Sequence, residues 1–296
     1  MYRSQAISSR ISKLTIISFW DWHENCIESF ASIYRSRHYG SRYYLCVRIL
    51  AIDTSGVFGG VALLADAQVL AEESGELAEP SSSGLFRRVS GVLGKASARL
   101  SEVECFAVAT GPGSFTGLRV GLAAVKGWAE VWQRPVAAVS VLEAVAAEAS
   151  EPGAMLAALT DARRSLLFFG LYRRISAEVE ALPGGAAPIH GLDQLAELEK
   201  VGEEIVATPA EILDRLPGSA SEDPLFVTPS PEAAAALVSS LAGRSARIEV
   251  VSRALAPVIG RLGLRQAQRG ELVDALGLNA NYIQRSAAEL NWKERV

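Results

Sequence analysis

Gly111-Pro112-Gly113-Ser114-Phe115-Thr116-Gly117-Leu118-Arg119 is the stretch on which the reading of this chain turns. Before it runs Cys105-Phe106-Ala107-Val108-Ala109, an apolar segment with the length of a buried strand. After it runs Val120-Gly121-Leu122-Ala123-Ala124-Val125-Lys126-Gly127-Trp128-Ala129, which predicts a helix. A strand that enters a Gly-Pro-Gly corner and leaves through a Ser/Thr helix start aims free backbone N–H groups at one point. That is a potential anion site. Glycines and a proline so closely spaced also mean a backbone path with little room for side chains.

Upstream of this corner, Ile49-Leu50-Ala51-Ile52-Asp53-Thr54-Ser55 predicts a first strand ending in a polar turn. Residues 59–64 and 69–74 predict a second and a third. Pro80-Ser81-Ser82-Ser83 introduces a helix over 83–100, with Phe86, Val89, Leu93, Ala96 and Leu100 as its apolar stripe. Downstream, the helix from Ser114 to Gln133 leads to a strand over 135–139 and a helix over 141–147. Hairpins followed by crossover helices predict a mixed sheet with helices on its faces. Ser150-Glu151-Pro152-Gly153 marks a boundary between lobes at 47–150 and 151–296. The second lobe opens on Met155-Leu156-Ala157-Ala158-Leu159-Thr160, a strand that ends at Asp161-Ala162-Arg163. A strand over 166–172, a short helix over 192–198, strands over 204–208 and 225–227 and a helix over 232–242 come next, with 214–231 loop-like. Both halves open with a strand leading to an aspartate, which hints at a duplicated architecture without a visible repeat of sequence.

The chain has 296 residues, enough for two modest lobes or one large domain. Its net charge of −4 supplies no general pull toward nucleic acid, so any contact with RNA needs a local patch or a partner. Cys26, Cys46 and Cys105 have neither metal-ligand nor disulfide-framework spacing, and His23, His38 and His190 are scattered. No apolar run is long enough to cross a membrane. Residues 1–46, rich in Trp, Tyr, Ser and Arg, differ from the Ala/Gly/Leu/Val-rich remainder. They lack the layout of a secretory signal. Val47-Arg48-Ile49-Leu50 reads naturally as a protein start, so 1–46 is expected to be a start-site extension, the alternative being a poorly ordered arm.

Several chemistries meet at the candidate site. Asp53-Thr54-Ser55, with Gly56, Gly59 and Gly60, has the residues of a phosphate hairpin in which Asp53 holds a metal, or of a solvated turn in which it caps backbone. Gly111–Arg119 lacks the Gly-Lys-Ser/Thr ending of a Walker A loop, and its glycines are spaced one residue too long for the dinucleotide fingerprint. Ser114 at a helix head superficially resembles a nucleophile elbow, but the Gly-x-Ser-x-Gly spacing is absent, and an N-cap role fits better. Gly117 and Gly121 stand four apart with Ala124 nearby, a face on which a second helix or the protein's own sheet can pack closely. Arg163 and Arg164 come just after Asp161 and suit a phosphate or a carboxylate, or an ordinary surface ion pair.

In this order the segments 49–55 and 111–121, Lys126-Gly127, Val139-Ser140-Val141-Leu142-Glu143-Ala144, Asp161-Ala162-Arg163 and Ala280-Asn281-Tyr282-Ile283-Gln284-Arg285 resemble the TsaB (YeaZ) family. The resemblance covers residues 48–290. It implies an α/β, two-lobed fold of the actin/hexokinase/Hsp70 (ASKHA) type, mixed sheets flanked by helices. It implies a non-catalytic, cytoplasmic scaffold subunit in tRNA threonylcarbamoyladenosine formation, partnered with the transferase TsaD. TsaE, an ATPase, joins that pair, TsaC supplies the threonylcarbamoyl-adenylate, and self-association without TsaD stays open. The implied partner interface is Phe86, Val89, Leu93, Ser114, Thr116, Gly117, Arg119, Gly121 and Ala124. The implied vestigial phosphate turn is Asp53, Thr54, Ser55, Gly111 and Gly113, with no cofactor required and weak ATP/ADP and Mg²⁺ binding open there or at a shared interface. Where the family commonly has a His before its first helix, this chain has Pro80-Ser81-Ser82-Ser83. An ATP-dependent phosphotransferase using Asp53 and the 111–114 corner, or a serine peptidase using Ser114, are the alternatives.

Overall fold

The computed structural model describes residues 47–76, 82–175, 192, 195–216, 223–241 and 245–283. The extension expected at 1–46 and the three histidines lie outside these residues. The first half runs β1 (Arg48–Asp53), β2 (Phe58–Ala65), β3 (Gln68–Glu76), α1 (Ser82–Lys95), β4 (Cys105–Gly111), α2 (Phe115–Trp132), β5 (Val136–Ser140) and α3 (Val141–Ala147). The second runs β6 (Met155–Arg163), β7 (Leu166–Ile175), β8 (Glu197–Ala207), α4 (Pro209–Arg215), β9 (Leu225–Thr228), α5 (Pro231–Ser240), β10 (Arg247–Val250) and α6 (Ala256–Arg269).

One sheet has the order β3-β2-β1-β4-β5 and the other β8-β7-β6-β9-β10. In each, the first three strands are antiparallel and the last two lie parallel to the first. The duplication is thus complete in topology although the sequences have drifted apart.

Each sheet is covered on both faces, which is why its central strands are continuous apolar runs rather than alternating ones. Leu50, Ile52, Phe106 and Val108 face α1 and α2. Ile49, Ala51, Ala107 and Val139 face the opposite way, into a core built with α3, α6 and the second sheet's Leu156, Ala158 and Val227. Ala157, Leu159 and Phe226 face α4 and α5. The layers are therefore helix, sheet, helix, sheet, helix, with α3 and α6 between the sheets.

Three sequence expectations change. Helix α1 stops at Lys95, and Leu100 falls in a separate 3₁₀ turn. Its buried face is Leu85, Val89 and Val92, so the stripe is rotated from the one expected: Phe86 is 47% exposed and Leu93 half-buried. Of the helix expected over 192–198, residues 193–194 lie outside the described residues, and Glu197 and Leu198 belong instead to β8, opposite Ile175 and Arg174 of β7. Helix α6 lies in the stretch beyond the predicted elements, and it returns to the first sheet. Its Gly260 sits so tightly that a Cβ there would strike Leu64, and one at Gly263 would lie 2.8 Å from Ala107. A division at residue 150 leaves α6 with the second half by sequence, whereas this face rests on the first. Among the described residues no helix is long and apolar enough to cross a membrane.

Candidate functional site

The turn after β1 is closed in. Asp53, Thr54 and Ser55 are all buried. One Asp53 carboxylate oxygen accepts the Ser55 amide at 2.9 Å and the Ser55 hydroxyl at 2.6 Å. Burial pushes the Asp53 carboxyl above its ordinary value, and the two Ser55 hydrogen bonds pull it partly back. Asp53 thus caps the backbone of its own turn, but that turn is buried rather than solvated.

What closes the turn is α2. Ser114 is its N-cap, and its hydroxyl accepts the Gly117 amide at 3.3 Å while its own amide donates to the Ser55 carbonyl at 2.6 Å. Gly113, Gly117 and Gly121 form a ridge against the same turn. A Cβ at Gly113 would collide with the Ser55 carbonyl, one at Gly117 with the Thr54 carbonyl, and one at Gly121 with the Thr54 hydroxyl. The Thr54 hydroxyl is buried without a hydrogen-bond partner among the described residues.

This packing redistributes the residues singled out for a partner surface. Gly117 and Gly121 are buried against their own chain, and Val89 is buried in the core under α1, so none of the three faces outward. Ser114 is taken up by the helix cap, and Leu93 and Ala124 are half-buried. Phe86, Thr116 and Arg119 are exposed. Ala123, Gly127 and Val131 join them on the outer side of α2, and sequence reading missed them. Helical spacing from Thr116 could have found them once the inward ridge was known. Phe86 meets Trp128 edge-on at 5.6 Å between ring centres, tying α1 to α2 on this side.

The Gly-Pro-Gly corner is covered from another direction. Gly111 has φ +119°, where a side chain is strained, and a Cβ there would also lie 2.6 Å from the Asn281 carbonyl. The Asn281 amide donates to the Thr110 carbonyl at 2.8 Å, and its side-chain amide donates to Glu204 at 2.5 Å. Glu204 also accepts from Ser140 at 2.5 Å and Tyr172 at 2.6 Å. Burial and this carboxylate push the Tyr172 hydroxyl well above its ordinary range. The next residue, Tyr282, stacks 5.2 Å from Phe115 and accepts from Arg119 at 3.4 Å, with the Arg119 guanidinium 3.6 Å over the Phe115 ring. The residues nominated as a phosphate turn, Asp53, Thr54, Ser55, Gly111 and Gly113, are thus brought together, but packed by α2 and by the segment around Asn281.

Two like-ordered mixed sheets with helices between and outside them define a two-lobed protein of the actin/hexokinase/Hsp70 type. A family model described as "TsaD: tRNA N6-adenosine threonylcarbamoyltransferase" matches residues 77–214. The chain is 36% identical over 125 residues to the tRNA threonylcarbamoyladenosine biosynthesis protein TsaB of Bacillus subtilis, covering 42% of this chain and 55% of that one. It is 35% identical over 132 residues to the Escherichia coli protein of the same description, covering 43% of this chain and 56% of that one. The match thus spans little more than half of each of these two relatives. The solved structure of YeaZ from Pseudomonas aeruginosa superposes with a TM-score of 0.61 at 26% identity, covering 80% of this chain and 99% of that one. Over these stretches the chain is similar to the TsaB/YeaZ family.

Proposed function

We propose that this chain is a non-catalytic subunit of the cytoplasmic machinery that places threonylcarbamoyl on the adenosine next to the tRNA anticodon. It docks on the transferase TsaD through the outer side of α1 and α2 and stabilises an active conformation of that partner. TsaE joins the pair, TsaC supplies the activated threonylcarbamoyl group, and a homodimer through the same side forms when TsaD is absent. ATP or ADP with Mg²⁺ binds weakly at a shared interface, since α2 and the Asn281 segment fill the space around the Asp53 turn.

The observation that carries this reading is the two-sidedness of α2. Its glycine ridge is spent on its own chain, which holds the helix low against β1. Its outer side then offers Thr116, Ala123 and Gly127 beside Phe86 and Val131, and a Cβ at Gly127 would meet nothing within 4 Å. Small residues flanked by exposed apolar ones let a second pair of helices approach closely. The named TsaB relatives supply the reaction.

The deciding experiment reconstitutes tRNA modification from purified TsaC, TsaD, TsaE and this chain, with each omitted in turn. Product should require this chain, and the chain should co-purify with TsaD. Undiminished modification without it sinks the proposal, as does modification or rapid ATP hydrolysis by the chain alone.

A further inference from the structure

The duplicated topology places Asp53 and Asp161 at the ends of equivalent strands, and the local bonding repeats. The Asp53 carboxylate accepts the amide two residues on, Ser55, at 2.9 Å, and the Asp161 carboxylate accepts that of Arg163 at 2.8 Å. The two turns diverge beyond the aspartate. After Asp53 stand small residues sealed under the α2 glycines. After Asp161 stands an exposed tip, Arg163-Arg164-Ser165, joining β6 to β7. All three tip residues are left-handed, with φ of 65°, 53° and 60°. Positive φ at successive residues is what a tight two-residue hairpin turn requires, and it sets both arginines on the exposed tip. Among the described residues neither guanidinium has an ion pair or hydrogen bond.

We propose that the Arg163–Arg164 tip is a phosphate contact and that it grips the phosphodiester backbone of RNA. Paired arginines match phosphate oxygens in geometry as well as charge. With a net charge of −4, the chain needs such a local cationic point to meet RNA at all. A nucleotide polyphosphate offers the same chemistry, but nucleotides are held in concave sites, and an exposed hairpin tip suits a strand passing over it. The choice of RNA rests on the tRNA function proposed above; the phosphate chemistry does not.

The test uses the full chain and labelled, unmodified tRNA transcript, with binding tracked by fluorescence anisotropy across a salt series. ATP binding is measured separately by calorimetry. R163N/R164N removes both charges while keeping residues that tolerate left-handed backbone, and R163K/R164K keeps the charges. At about 50 mM salt the asparagine variant should bind tRNA at least about fivefold more weakly, with the log–log salt slope flattened by about 1–2. The lysine variant should retain most of the binding, and ATP binding should not move. Equal tRNA binding by wild type and R163N/R164N overturns the proposal, and so does a wild type that binds no tRNA at low salt. A loss confined to ATP overturns the RNA assignment and leaves a nucleotide phosphate site. Should the double variant fail to fold, R164N alone decides the question through about half the slope change. The titration needs no partner subunit, so it stands even if modification proves independent of this chain.

Discussion

Asp53 is a carboxyl group that the fold accommodates most easily without its charge. Its burial lies behind an upward displacement from the ordinary value of 3.8, opposed only by two bonds from Ser55. A raised folded-state value means that the native chain holds this proton more tightly than the unfolded chain does. The associated stability is fully present below the ordinary aspartate value and is lost as pH rises through the folded one. Asp53→Asn keeps an acceptor for Ser55 and removes the charge. The difference in Tm between D53N and wild type should therefore move in the variant's favour as pH rises from acid to neutrality. A difference that is flat, or that moves the other way, would show that Asp53 is ionised without penalty. The same residue was legible in the sequence as the end of a strand, but its burial was not, because that depends on a helix more than sixty residues away.

At the scale of the element, α2 does two jobs on two sides, and substitutions can separate them. Gly121→Leu drives a side chain into Thr54 and should cost about 1–3 kcal/mol by overpacking, seen as a Tm lower by several degrees. Gly127→Glu enters open space and should leave stability within about 0.5 kcal/mol of wild type while abolishing co-purification with TsaD. If G127E binds TsaD normally, or if G121L folds normally and alone fails to bind, the two sides have been assigned wrongly. The spacing of Gly117 and Gly121 announced a close-packed helix in either case. The sequence left open which neighbour filled the groove, since a strand turn and a foreign helix make the same demand for small residues. In α1 the error was one of phase. Leu85, Val89 and Val92 and the expected Phe86, Val89 and Leu93 are both sound three-and-four patterns, and only the position of the sheet chooses between them.

Across the whole molecule, the two sheets are joined by the α3–α6 layer and by one polar knot. Glu204 of β8 receives Ser140 from the end of β5, Tyr172 from β7 and Asn281 from the segment after α6. Four stretches far apart in sequence therefore depend on one carboxylate. Glu204→Ala strands those donors and should cost about 1–3 kcal/mol. It should also speed amide exchange at Asn281, whose bond to Thr110 holds this segment against the Gly111 corner. Exchange at Asn281 as slow as in wild type would mean that the knot does not hold that segment.

The elements of the first half, the glycine corner, the Ser114 cap and the aspartate that opens each half were determined by the sequence alone. Those features are local: propensity, period and turn chemistry act over a few residues, and so they are written in a few residues. The tertiary structure alone decided that Gly113, Gly117 and Gly121 seat the chain on itself, and that α6 returns to the first sheet. It also decided that Asn281 and Tyr282 cover the corner and that the second aspartate turn stays open beside two exposed arginines. Each of these is a choice among partners remote in the chain, and steric fit between remote surfaces leaves no periodic trace in either one.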